Sequence, residues 1–152
     1  MTEMLLNGLR YLLTLLFGVA VSAAFLDVAP TRKNIVILSV FSALDFIVQC
    51  ILFLLQSDSV TYAYYPLVTH IPLVLLFTLA CKCRLVPSVL AVLTAYLCCQ
   101  ISNWISTIPK TFHCPDWSVD ITYIIVLIII FPLVWKYVAS PIAKLLSKPA
   151  SS

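Results

Sequence analysis

The sequence predicts an all-α fold: a polytopic membrane bundle of about five transmembrane helices, with the amino terminus outside and the carboxyl terminus cytoplasmic. Three observations carry that expectation. Of 152 residues, 62% are hydrophobic, and the mean hydropathy is +1.10. Charged residues make up 10%, against about 25% in soluble domains, and nine basic plus six acidic side chains cannot clothe a water-soluble core of this size. Apolar runs long enough to cross ~30 Å of hydrocarbon at about 1.5 Å per residue recur five times.

The same composition excludes several functions. Gly8 and Gly18 are the only glycines, too few for a glycine-rich phosphate loop, which needs several positions free of Cβ. A net charge of +3 is too small for nucleic-acid binding. No nucleic-acid partner is expected, and the lipid bilayer is the first partner.

The expected spans are 5–29, 35–56, 63–81, 87–108 and 119–139, forming one bundle over 1–139, with 140–152 as a short basic cytoplasmic tail. Pro30-Thr31-Arg32-Lys33-Asn34 closes the first span and Gln56-Ser57-Asp58-Ser59 the second. Lys82-Cys83-Arg84 closes the third, and Pro109 through Ser118 the fourth. The fifth is almost purely Ile, Leu and Val from Ile121 to Val134, with no charge between Asp120 and Lys136, and is expected to face lipid. A rival for the first span is a signal peptide with core Leu12–Val21 and small residues Ser22-Ala23-Ala24 for cleavage. It would reverse every later loop, against the charge pattern.

Positive charge in short loops stays cytoplasmic during insertion. Arg32 and Lys33 in loop one, Lys82 and Arg84 in loop three, and Lys136, Lys144 and Lys148 in the tail fall on one side, whereas loops two and four hold only Lys110. Aromatic belts agree, with Tyr11, Tyr62, Tyr64, Tyr65, Trp104 and Trp117 at outer ends and Trp135 and Tyr137 at an inner one. Pro72 and Pro132 should kink the third and fifth helices, since each removes a backbone donor, whereas Pro66 suits a first turn.

Ionisable groups at membrane depth cost roughly 2.5 to 3.5 kcal/mol each on insertion scales, so they point to function. Asp45 lies mid-span, with Gln49 a turn further out and Ser42 three residues inward on one face. His70 sits about 11 Å and Asp45 about 16 Å below their outer helix ends by helical rise, so the two can meet if their faces turn together. Arg10 enters the first helix from outside and can snorkel or reach inward to Asp45. Gln100 and Asn103 are neighbours on the fourth. Arg10, Asp45, Gln49, His70, Gln100 and Asn103 are therefore the ligand-sensing candidates, lining a small polar cavity open outward. The competing reading is interhelical hydrogen bonding alone, averaging about 0.6 kcal/mol per bond; it is the first reading of Gln49, Gln100 and Asn103, and both stay open for Asp45 and His70.

The six cysteines form neither a disulfide framework nor a metal site: Cys50, Cys98 and Cys99 fall within spans, Cys81 and Cys83 at a cytoplasmic end, and Cys114 outside. No metal or cofactor is expected. A cysteine peptidase needs a thiolate within reach of histidine. His70 and Cys81 are about 16 Å apart along one helix, which leaves Cys98 or Cys99 approaching His70 from the fourth span.

Leu6-Asn7-Gly8-Leu9-Arg10-Tyr11, Tyr65 through Leu73, and above all Ala95-Tyr96-Leu97-Cys98-Cys99-Gln100-Ile101-Ser102-Asn103-Trp104 resemble the amino-terminal membrane region of clostridial-type sensor histidine kinases whose cytoplasmic part is a GHKL-type ATPase. The resemblance implies a bacterial, multi-pass cell-membrane sensor in two-component signalling, reading an extracytoplasmic or membrane ligand and passing it to a kinase module, in cis or as a partner, or within a homodimer. The chain lacks the phosphoacceptor helices, asparagine box and glycine-rich lid of that family, so it is expected to be non-catalytic: a truncated sensor, a fragment or a stand-alone partner. The alternative is a small transporter or channel subunit with Asp45 and His70 as a proton or cation site.

Overall fold

A computed structural model describes residues 2–55 and 64–146. The expected break at 56–59, Tyr62, the first residue of the third span and Lys148 lie outside the described residues. Every regular element among the described residues is helical: α1 (Thr2–Phe25), α2 (Arg32–Leu55), α3 (Ile71–Leu79), α4 (Leu85–Ser106), α5 (Ile108–Thr111), α6 (Trp117–Val134) and α7 (Ser140–Leu146). π-Helical turns at Pro66–His70 and Trp135–Ala139 lead into α3 and join α6 to α7.

Among the described residues, four helical stretches are long and apolar enough to cross a membrane: Leu5–Phe25, Arg32–Leu52, Leu85–Thr111 and Trp117–Lys144. This is the build of a multi-pass membrane protein. The third expected span is the shorter apolar helix Leu67–Leu79, about 20 Å long by helical rise.

α1, α4 and α6 pack pairwise around the core, with α3 against α4 and α2 on the flank of α1. Phe17, Val21, Phe77, Val92, Ala95 and Leu127 fill the interior, while Ile35, Val36, Val40, Leu44, Ile47 and Ile51 cover the outer face of α2. That inverted surface suits lipid, where every backbone group is satisfied within its own helix. Small buried side chains let the helices approach: Ser22, Ser88, Ser102 and Ser106 are all fully buried.

The expectation that the fifth span faces lipid holds for one face of the helix and needs correction for the other. α6 buries Val119, Tyr123, Leu127 and Val134 along one stripe and exposes Ile125, Ile128, Ile129 and Leu133. In hydrocarbon a packed apolar face and a lipid-washed one have the same chemistry, so uniform Ile, Leu and Val cannot distinguish them.

Both expected kinks sit beside a π-turn. Pro72 is the second residue of α3, immediately after the turn that Pro66 opens. Pro132 precedes the second turn, where the Trp135 N–H is shared between the Phe131 and Pro132 carbonyls. A missing donor leaves a carbonyl unsatisfied, and a wider turn re-registers the ladder around it.

With so few glycines, other residues end the helices. Asp27, at φ 50°, closes α1: the Asp27 N–H donates to Ala24 O (3.2 Å) and the Val28 N–H to Ala23 O (3.0 Å), the double bond of a Schellman motif. His113, at φ 56°, does the same after α5 through Lys110 and Pro109. Gly18 has a different role. Its missing Cβ leaves room for the Tyr96 ring, whose hydroxyl would stand 2.6 Å from an added Cβ. A Cβ at Gly8 meets nothing within 4 Å.

Gly18→Ala is therefore expected to lower stability by about 1 to 3 kcal/mol, and Tyr96→Leu to recover part of that loss in the double variant. Gly8→Ala should be neutral or slightly stabilising. Thermal unfolding of the purified chain in detergent checks all three.

Candidate functional site

Arg10 and Thr14 stand one turn apart on α1, Gln100 and Asn103 on α4, and Asp120 and Tyr123 on α6. Helix packing brings the three pairs to one end of the bundle. Arg10 Nη1 donates to Asp120 Oδ1 at 2.9 Å and Nη2 to Asn103 Oδ1 at 2.8 Å. Its guanidinium carbon lies 4.3 Å from the centroid of the Tyr123 ring, and the hydroxyls of Tyr123 and Thr14 are 2.8 Å apart. One cation thus engages a carboxylate, an amide and an aromatic face, using the planar fork that lysine lacks. The ion pair is mostly buried, with side chains 19% and 18% exposed.

Beneath this clamp lies a layer of rings. His70 lies tilted against Tyr96, with centroids 4.2 Å apart. Tyr65 meets both edge-on, at 5.8 Å from His70 and 6.1 Å from Tyr96, and Tyr11 lies 6.4 Å from Tyr65. Clamp and rings enclose a partly open cavity of about 340 Å³, within the size of small-ligand sites. Its lining comprises Arg10, Tyr11, Thr14, Tyr65, His70, Tyr96, Cys99, Gln100, Asn103 and Tyr123. His70 Nε2 and the hydroxyls of Tyr65 and Tyr96 are buried with no hydrogen-bond partner outside the ring cluster.

The structure divides the six sequence candidates. Arg10, His70, Gln100 and Asn103 line the cavity. Asp45 and Gln49 do not; they form a separate buried cluster with Thr69 from the first π-turn. Asp45 Oδ2 accepts from Gln49 Nε2 at 2.7 Å and from Thr69 Oγ1 at 3.1 Å. This ties α2 to the turn before α3. Arg10 reaches Asp120 rather than Asp45, and His70 turns to Tyr96, so neither expected meeting with Asp45 forms.

Asp120 was legible only as a span boundary, and Thr14, Tyr65, Tyr96 and Tyr123 only as spacers or belt residues. One signal was present: Arg10 and Thr14 at i and i+4 mark a polar stripe on α1. Cys99 lines the cavity with His70, but its thiol faces the Ala95 carbonyl at 3.6 Å. Among the described residues no three His, Cys, Asp or Glu side chains group to hold a metal ion. At the opposite end, burial pushes the Cys83 thiol up, with neighbouring Cys81 adding to the shift.

A double-mutant cycle of Arg10→Gln and Asp120→Asn should give a coupling of about 0.5 to 2 kcal/mol in thermal unfolding. Thr69→Val should cost about 0.6 to 1.7 kcal/mol. Asp45→Asn should be near neutral, because its amide keeps an acceptor and offers a donor to Gln49 Oε1, which is buried and unpartnered.

No protein-family model, curated protein or solved structure matches the chain, so its reading rests on the residues described above.

Proposed function

We propose that this chain is a multi-pass cell-membrane signal-input protein, non-catalytic in itself, of the kind that feeds a bacterial sensor kinase. The observation that carries the reading is the cavity in which one arginine joins α1, α4 and α6 beside a ring cluster whose buried polar atoms find no hydrogen-bond partner outside it. A ligand seated there alters the Arg10–Asp120 geometry. Asp120 stands near the start of a helical rod that runs to Lys144, about 42 Å by helical rise, so its displacement reaches the far side of the bilayer.

In this reading the Arg10 end faces outward and the lysine-bearing end faces the cytoplasm, by the charge asymmetry of the loops. The Leu67–Leu79 helix, extended by the helical residues before it, serves as the fifth span. The kinase partner is inferred from the resemblance of the five spans to sensor regions, carried above all by segments of the first, third and fourth. Transport through Asp45 and His70 is less well supported, because the two residues belong to separate clusters with different partners.

Two measurements test the proposal. In intact cells an impermeant maleimide should label exposed Cys114, whereas Lys82→Cys and Lys144→Cys in a background lacking the native cysteines should react only after permeabilisation; labelling of either from outside overturns the orientation. Cys83 should react slowly even after permeabilisation and faster as pH rises, since a raised thiol pKa means less thiolate at neutral pH. Fused after Leu146 to a dimeric histidine-kinase module, the chain should set a phosphorylation level that Arg10→Gln shifts at unchanged abundance. An unaltered level, or proton uptake by proteoliposomes holding this chain alone, would sink the sensor reading.

A further inference from the structure

The charge and the rings of the cavity narrow what it accepts. Among the described residues Arg10 is the only lysine or arginine in its lining, and Asp120 already compensates it at 2.9 Å. An anion entering the cavity meets no uncompensated positive charge from Arg10, and must either displace Asp120 or lose its hydration without a counter-ion. A cation meets a guanidinium. Neutral ligands escape both penalties.

The remaining surface is aromatic. The His70 and Tyr96 rings are tilted at 44° to one another, and Tyr65 stands at 87° and 75° to them. Offset and edge-on ring arrangements add about 0.5 to 1.5 kcal/mol per pair beyond burial. Three buried polar atoms sit on those rings, His70 Nε2 and the hydroxyls of Tyr65 and Tyr96. Tyr96 is only 6% exposed. The two hydroxyls have only one another, and His70 Nε2 has no partner; such atoms are costly, and a ligand oxygen placed among them relieves that cost.

We propose that this cavity binds a neutral planar ring bearing hydrogen-bonding oxygens, of the quinone or hydroxyaromatic class. This rests on the reading of the cavity as the sensing site and names its ligand chemistry. The ring packs against Tyr96 and His70, its oxygens take up the buried hydroxyls and the imidazole nitrogen, and the Arg10–Asp120 pair excludes charged analogues. Such a ring reaches the site either from water or from the bilayer.

The full chain in lipid nanodiscs, with empty nanodiscs as the reference for partitioning, is titrated by calorimetry with duroquinone, decylubiquinone and benzoate. Duroquinone should bind saturably with one site per chain, and benzoate should not. Tyr96→Phe and His70→Phe should each weaken duroquinone about three- to tenfold, with folding checked by thermal unfolding of the same samples. Asp120→Asn should open the cavity to benzoate by leaving Arg10 uncompensated, and this arm holds even if a ring variant fails to fold. Tighter decylubiquinone than duroquinone assigns the ligand to the bilayer, and the reverse assigns it to water. Benzoate binding to the unaltered chain, no saturable duroquinone binding, or affinity unchanged in both ring variants overturns the proposal. Duroquinone binding that leaves the output of the kinase fusion unmoved strikes the sensor reading alone, and a fusion that answers only to anions strikes the ligand class alone.

Discussion

A guanidinium held among apolar helices must find its partners inside the protein, and that requirement organises this molecule. Arg10 satisfies it with a carboxylate, an amide and a ring drawn from two other helices. Satisfying it fixes the rotation of α1, α4 and α6 at one end of the bundle. Further down, Gly18 and Tyr96 fix the same α1–α4 contact by shape instead of charge. Polar anchoring at one level and steric interlock at the next leave little freedom of register, which van der Waals packing of uniform Leu, Ile and Val cannot by itself provide.

The two polar clusters differ in kind. Asp45, Gln49 and Thr69 are sealed, with exposures of 6%, 5% and 0%, and they join the flanking α2 to the turn before α3. The Arg10 cluster borders open volume. Both clusters leave a buried polar atom unpartnered, Gln49 Oε1 in one and His70 Nε2 beside the other, but only the one that borders open volume is accessible to a small molecule.

Much of the architecture was legible in the sequence because hydrocarbon length and loop punctuation are strong constraints. The helices of the first, second, fourth and fifth expected spans appear close to where composition put them, and Arg10, His70, Gln100 and Asn103 line one cavity as their depths implied. Asp45 shows where reading by depth fails. Depth along a helix follows from counting residues, but the direction a side chain faces depends on how neighbouring helices are rotated, and those rotations are set by contacts distant in sequence such as Arg10 with Asp120. The tyrosines were hidden for a related reason: a ring in an apolar run counts as hydrophobic until its hydroxyl is seen inside a pocket. Lipid-facing and packed positions on α6 looked alike because their chemistry is alike.

The π-turn at Trp135–Ala139 gives the rod from Trp117 a mechanical property of its own. Such a turn closes its hydrogen-bonded ring over one residue more than an α-turn does. Tightening it to α geometry would swivel everything beyond it by about 100°, the angular step of a single helical residue, while advancing it along the axis by no more than about one residue's rise. The Ser140–Leu146 segment is thereby mounted like a key on a shaft, able to present a different edge to whatever lies beneath the membrane without being pushed or pulled.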